Sequence, residues 1–182
     1  AVYLDALMRG AGGAPEHAVF ALSLKDGSTL PGWPVDVSTA LKAQGMTFDT
    51  PVQGERGALA ILGGTVYVPY GGHDGDCGPY HGWVVGMNLD DPHRVTSWHS
   101  EGIGAAVWSP AGISNDGTDL FVSTGNTMIS APGRRMWAVP LQGGLGESAI
   151  RRPPNLHFSD TPTGYFAPTD WAYMDAHDQD LG

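Results

Sequence analysis

The chain has little from which to build cross-links, cationic faces or membrane spans. Only one of its 182 residues is a cysteine, Cys77. An internal disulfide is therefore excluded, and no Cys-x-x-Cys or Cys/His zinc pattern occurs. Lysine and arginine total 9 against 19 aspartates and glutamates, a formal net charge of −10. Neutralising phosphates needs clustered basic side chains, so a general nucleic-acid partner is excluded. Arg134-Arg135 and Arg151-Arg152 are isolated pairs that define no basic face. No segment approaches the roughly 18 apolar residues of a membrane span, and no signal peptide opens the chain. The acidic, lysine-poor composition suits a secreted or periplasmic protein.

What is abundant is backbone punctuation. Glycine and proline together make 41 residues (27 and 14), roughly twice the usual share. Helical bundles do not tolerate that density, whereas an all-β chain with many turns does. Charged residues are only 15% and hydrophobic ones 41%, which excludes a disordered acidic tail.

Strand patterns recur along the chain. Val2-Tyr3-Leu4 reappears as Val66-Tyr67-Val68, and Val19 to Leu24 as Val84 to Leu89, at offsets of 64 and 65 residues. Trp33 and Trp98 lie 65 apart and read as one core position. A third copy starts at Leu120-Phe121-Val122, 54 residues after the second, and continues at Met136 to Leu141. The middle unit is the clearest, with strands at 58–62, 65–70, 83–89 and 95–99 and a Gly63-Gly64 hairpin turn. Further strands are expected at 119–123 and 136–141, with Asn115-Asp116-Gly117 turning into the first of them. Four-stranded units repeating at this period point to a β-propeller of about three blades, near 1–50, 51–101 and 102–160, followed by an irregular tail at 161–182. Propellers close with roughly 4 to 8 blades. The expected partners are therefore the remaining blades, on a longer polypeptide, or further copies of the chain in a homo-oligomer.

The run from Val107 to Asn126, with Trp108-Ser109-Pro110 near its start and Thr124-Gly125-Asn126 at its end, resembles the quinoprotein dehydrogenases. Tyr165-Phe166-Ala167-Pro168-Thr169-Asp170-Trp171 looks like the segment that family carries after the same blade. Those propellers bind pyrroloquinoline quinone (PQQ) beside a calcium ion. The resemblance implies Trp108 and Asn126 at the cofactor, with Asn126 a calcium ligand and Asp74 nearest the position of the family's glutamate ligand. It also implies a catalytic aspartate directly after Trp171, where this chain has Ala172. Asp170 or Asp175 would have to take over that role. The family's vicinal disulfide is impossible with a single cysteine.

The residues themselves carry a reading beside the resemblance. Asp74 and Asn126 both follow the second strand of adjacent units, so their loops emerge at one end and can converge. Oxygen ligands suit a hard cation such as Ca²⁺. The loop from His73 to His81, which includes Asp74, Asp76 and Cys77, is the richest polar cluster. Its His, Asp and Cys side chains can hold a metal, or its aspartates can simply cap tight turns. Asn126 after Gly125 likewise suits a turn cap. Asp170, Asp175, Asp178 and Asp180 lack the central glycine and terminal glutamate of an EF-hand and read as a solvated loop.

Two functions remain open. One is a non-catalytic propeller acting as a binding or scaffold module, with a small-molecule ligand among its partners. The other is a PQQ- and calcium-dependent oxidoreductase acting on an alcohol. Fold alone does not decide between them.

Overall fold

The computed structural model describes residues 1–73, 77–127, 130–131, 134–135 and 145–181. Strand takes up 36% of the chain and helix 7%, and every strand pairing is antiparallel. The all-β reading holds.

The first sheet is a meander of β1 (Val2–Arg9), β2 (Pro15–Leu22) and β3 (Val35–Asp36). Helix α1 (Val37–Lys42) follows directly; Asp36 caps it by accepting the Thr39 N–H at 2.6 Å. Val37 and Leu41 are its buried residues. The second sheet holds β4 (Gln53–Gly54), β5 (Ala60–Leu62), β6 (Thr65–Gly72), β7 (Trp83–Asn88) and β8 (Val95–His99). β5 to β8 pair in sequence order, and β4 extends the β5 edge by pairing with the far end of β6. Gly63 and Gly64 both have positive φ, 57° and 76°, as a two-residue turn between twisted strands requires.

The third sheet is again a meander, of β9 (Ser114–Asn115), β10 (Leu120–Ser123), β13 (Ala149–Arg152) and β14 (Tyr165–Phe166). A small hairpin, β11 (Ser130–Ala131) and β12 (Arg134–Arg135), is inserted between β10 and β13. The turn into β10 is built as expected: Asn115 and Asp116 accept backbone N–H groups two or three residues on, and Gly117 takes φ 89°. The expected strand at 136–141 lies outside the described residues. The place beside β10 is taken by β13, in register Phe121↔Arg151. Helix α2 (Trp171–Ala176) follows β14 in the tail.

Side-chain alternation decides how the sheets stack. On β6, Val66, Val68 and Tyr70 face one way and Tyr67 the other; on β7, Trp83, Val85 and Met87 oppose Val84. The first set packs with Val19, Ala21, Trp33 and Val35 of the first unit. Tyr67 and Val84 pack with Leu120, Val122 and Ile150 of the third. The second sheet is thus buried on both faces. Each fully buried aliphatic side chain there stabilises by about 1.5–3 kcal/mol.

Equivalent residues face the same way in all three units. Tyr3 packs towards the second sheet and Tyr67 towards the third, while Phe121 meets no further sheet among the described residues and is 37% exposed. The register corrects one equivalence. Val19 pairs with Val35 and Val84 with Trp98, so the counterpart of Trp98 is Val35. Trp33 lies two residues away, edge-on to Tyr3.

A buried ion pair within the first sheet is tied to the second sheet by hydrogen bonds. His17 Nδ1 lies 2.6 Å from Asp5 Oδ2, and His17 Nε2 lies 2.9 Å from the Gln53 carbonyl. The Gln53 carbonyl can only accept, so Nε2 carries a proton, and the Asp5 carboxylate favours a second proton on Nδ1. The Tyr70 hydroxyl donates to the other Asp5 oxygen at 3.0 Å. Burial pulls the His17 pKa down, but the hydrogen bond and charge of Asp5 reverse this and leave it raised. Beside it, burial first and the Asp5 charge second push the Glu55 carboxyl up to about 7.

Both shifts have the same sign for stability. A group whose pKa is raised by folding stabilises below its unfolded value and loses that contribution as pH rises through its folded value. Denaturant midpoints should therefore fall between pH 5 and pH 8, Glu55 acting over the lower part of that range and His17 over the upper. Asp5→Asn should cost about 3–5 kcal/mol, since it strands a buried cation. Urea melts across that pH range check both; a midpoint that rises with pH would contradict the assignment.

Candidate functional site at the ends of the second and third sheets

β6 and β10 end side by side, and the strip 104–108 runs between them. Val107 N–H donates to Tyr70 O (3.2 Å), Gly125 N–H to Ala106 O (3.1 Å) and Ala105 N–H to Asn126 O (2.6 Å). Glycines permit this closeness. A Cβ on Gly71 would lie 2.5 Å from the Ala106 Cβ, and one on Gly125 would lie 3.3 Å from the Trp108 indole nitrogen. Trp108 therefore stands between the two strand ends. It is half-buried with Val52, Tyr80 and Ala106, and the Arg56 guanidinium sits 5.1 Å from its ring centre.

Asn126 is the hub of what gathers here. Its side-chain amide donates to Asp178 Oδ1 at 2.8 Å, and its backbone N–H to Asp180 Oδ1 at 3.1 Å. The next residue, Thr127, gives its N–H and hydroxyl to Asp175 Oδ1 (2.7 and 3.3 Å). Glu147 joins from the other side. Its N–H donates to Gly125 O, and its Oε2 accepts the Leu181 N–H at 2.9 Å. It is buried with φ 49° in the left-handed region, and its Oε1 has no hydrogen-bond partner. Burial pushes its carboxyl up to about 7, and the charges of Asp180, Asp175 and Asp178 push the same way against the Leu181 hydrogen bond.

The residues expected from sequence divide accordingly. Trp108 and Asn126 come together. Asp175 reaches the site, but it serves to hold Thr127. Asp170 is exposed at the start of α2, makes no side-chain capping bond and stays apart from these contacts. His73 is half-buried against Gly54. Asp74 and Asp76 lie outside the described residues, and Cys77 is exposed. His81 is structural: Gln53 grips its backbone N–H and carbonyl, each at 2.9 Å, and its Nδ1 faces the Ser100 and Gly102 carbonyls.

Asp178, Asp180 and Glu147 are the members that sequence reasoning missed as site residues. The two aspartates were visible as an alternating pair, but nothing local tied them to a residue more than 50 positions earlier. Glu147 carried no signal at all.

The donor set is oxygen-rich, as a hard cation prefers; one oxygen each of Asp175, Asp178, Asp180 and Glu147 already accepts an N–H, while Glu147 Oε1 has no hydrogen-bond partner among the described residues. Among the described residues, no three His, Cys, Asp or Glu side chains are grouped so as to hold a metal ion. The site as arranged is a set of carboxylates docked on an amide-rich strand end.

Glu147→Gln tests the electrostatics. Removing the ionisable group should raise stability at pH 8 relative to the parent chain and flatten the pH dependence between 5 and 8. An unchanged pH slope in urea melts would show that Glu147 is not the strained group.

Compared with protein-family models, curated proteins and solved structures, the chain finds no match in any of the three.

Proposed function

We propose that the chain forms part of a β-propeller of the quinoprotein-like kind and serves as a binding or scaffold module. The observation that carries this reading is the repeated stacking: Tyr3, Tyr67 and Phe121 hold one position in three successive sheets, Tyr3 facing the second sheet, Tyr67 the third, and Phe121 exposed on the corresponding side. Where the stack stops, apolar side chains remain open. Phe121 (37%) and Phe166 (64%) are exposed on the third sheet, Val2 (46%) and Met8 (41%) on the first. Faces of this kind call for partners. Further sheets of the same type satisfy them, whether from the same polypeptide or from a second copy. Ala172 at the expected base position, and an Asn126 amide bound to Asp178, favour binding over catalysis.

A PQQ- and calcium-dependent oxidoreductase is the second reading, favoured by one observation. Trp108, Asn126, Asp178 and Asp180 meet at a single end of the stack. In that reading Asp178, rather than Asp170 or Asp175, is the carboxylate beside Asn126.

Two measurements separate and test these readings. Titrating the purified chain with PQQ, with and without Ca²⁺, should leave the quinone absorbance unchanged and yield no alcohol-dependent dye reduction. A saturable spectral shift that Asn126→Ala abolishes would favour the oxidoreductase. Light scattering should give a mass above the 19.1 kDa of one chain, and a combined Phe121→Lys and Phe166→Lys variant should lower it. A compact, monodisperse monomer would remove the support for stacking through open faces.

A further inference from the structure

We infer that the cavity beside Trp98 and Phe158, at the β8 edge of the second sheet, binds a small carboxylate with an apolar body, recognised by Arg152. This goes beyond the module reading and does not depend on it.

Arg151 and Arg152 are neighbours on β13, so their side chains leave on opposite faces of the sheet. Arg151 lies on the outer face and makes two hydrogen bonds to Asp119. Arg152 faces inward, opposite Leu120, and is fully buried. Among the described residues, none of its three guanidinium nitrogens has a hydrogen-bond partner. Its only polar compensation among the described residues is aromatic: Cζ lies 4.3 Å from the ring centres of both Trp98 and Phe158. Cation–π contacts offset part of the lost hydration, but they leave five N–H donors unused. Burial brings its pKa down to about 9, so the group stays cationic at neutral pH. A buried cation without an anion is among the costliest arrangements in a protein, and its geometry states what is missing. A planar fork of donors matches a carboxylate.

The space for such a ligand adjoins the same two rings. Trp98 and Phe158 line a cavity of about 360 Å³ together with Met46, His99 and Leu145, within the size range of small-molecule sites. Its walls are mainly apolar, so they favour a hydrocarbon or aromatic body over a strongly hydrated phosphate. The volume excludes large ligands. Glu101 is the one carboxylate on the lining and is exposed. It repels a second anion weakly from the solvent side. Arg152 is not itself on the lining; Trp98 and Phe158 line the cavity and touch the guanidinium, so the proposed ligand needs one of these half-buried rings to move aside.

Calorimetric titration with phenylacetate, phenylacetamide and inorganic phosphate tests the site on the 182-residue chain. Phenylacetate should bind saturably at one site, at least tenfold tighter than either the amide or phosphate. Arg152→Met should reduce it to the level of the amide, and Glu101→Gln should leave it unchanged or tighten it. Leu145→Trp fills the cavity without touching the guanidinium and should abolish binding; it decides the matter if the Arg152 variant does not fold. Acid and amide binding alike, phosphate binding as tightly as phenylacetate, or phenylacetate binding that survives Leu145→Trp would each overturn the assignment.

Discussion

The structure depends on one constraint, a second sheet buried on both faces. Such a sheet cannot use simple alternation of apolar and polar residues, because neither side meets water. β6 and β7 comply with near-continuous apolar or small residues, Thr65-Val-Tyr-Val-Pro-Tyr-Gly-Gly and Trp83-Val-Val-Gly-Met-Asn. The polar groups admitted there are satisfied at the margins: the Tyr67 hydroxyl reaches the Pro154 carbonyl and Tyr70 reaches Asp5. Each of these bonds crosses to a different neighbouring unit. The hydroxyls therefore set how the outer sheets sit on the middle one, while the apolar faces supply most of the attraction.

That constraint also explains how much of the fold was legible. The strands of the middle unit could be read because a doubly buried sheet writes a strong apolar signal and its hairpin turn is a Gly-Gly pair. The other units obey weaker rules. β3 is two residues long and pairs only with β2, so Trp33 could be matched to Trp98 by spacing although the register sets Val35 in that place. In the third unit the residues from 124 to 148 separate β10 from β13. Spacing to the next apolar run then names Met136 to Leu141, whereas the hydrogen-bonded partner of β10 starts at Ala149. Sequence spacing counts residues; a sheet counts only those in the ladder.

The site was legible to a smaller extent, for a different reason. Trp108 and Asn126 belong to a local pattern, and two strand ends bring them together. What surrounds Asn126 arrives from the tail, through hydrogen bonds spanning 48 to 54 residues. In an acidic chain, three aspartates approaching one another oppose assembly unless N–H groups receive them. The amide of Asn126, with the N–H groups of Asn126 and Thr127, does so. Glu147 then bears the remaining repulsion, held near its titration midpoint at neutral pH by burial and its neighbours. Tail docking and protonation are coupled through that one side chain.

Arg151 and Arg152 show how a period of two converts identical residues into opposite roles. On the outer face a guanidinium finds Asp119 and water, and the pair contributes little beyond local order. One residue later the same group enters an apolar interface, where hydration is lost and the rings of Trp98 and Phe158 lie against it. A hydrophobic residue of similar volume would fit the energetics of that face better. A charge kept at such a position is explained most simply by what it recognises, since packing alone disfavours it.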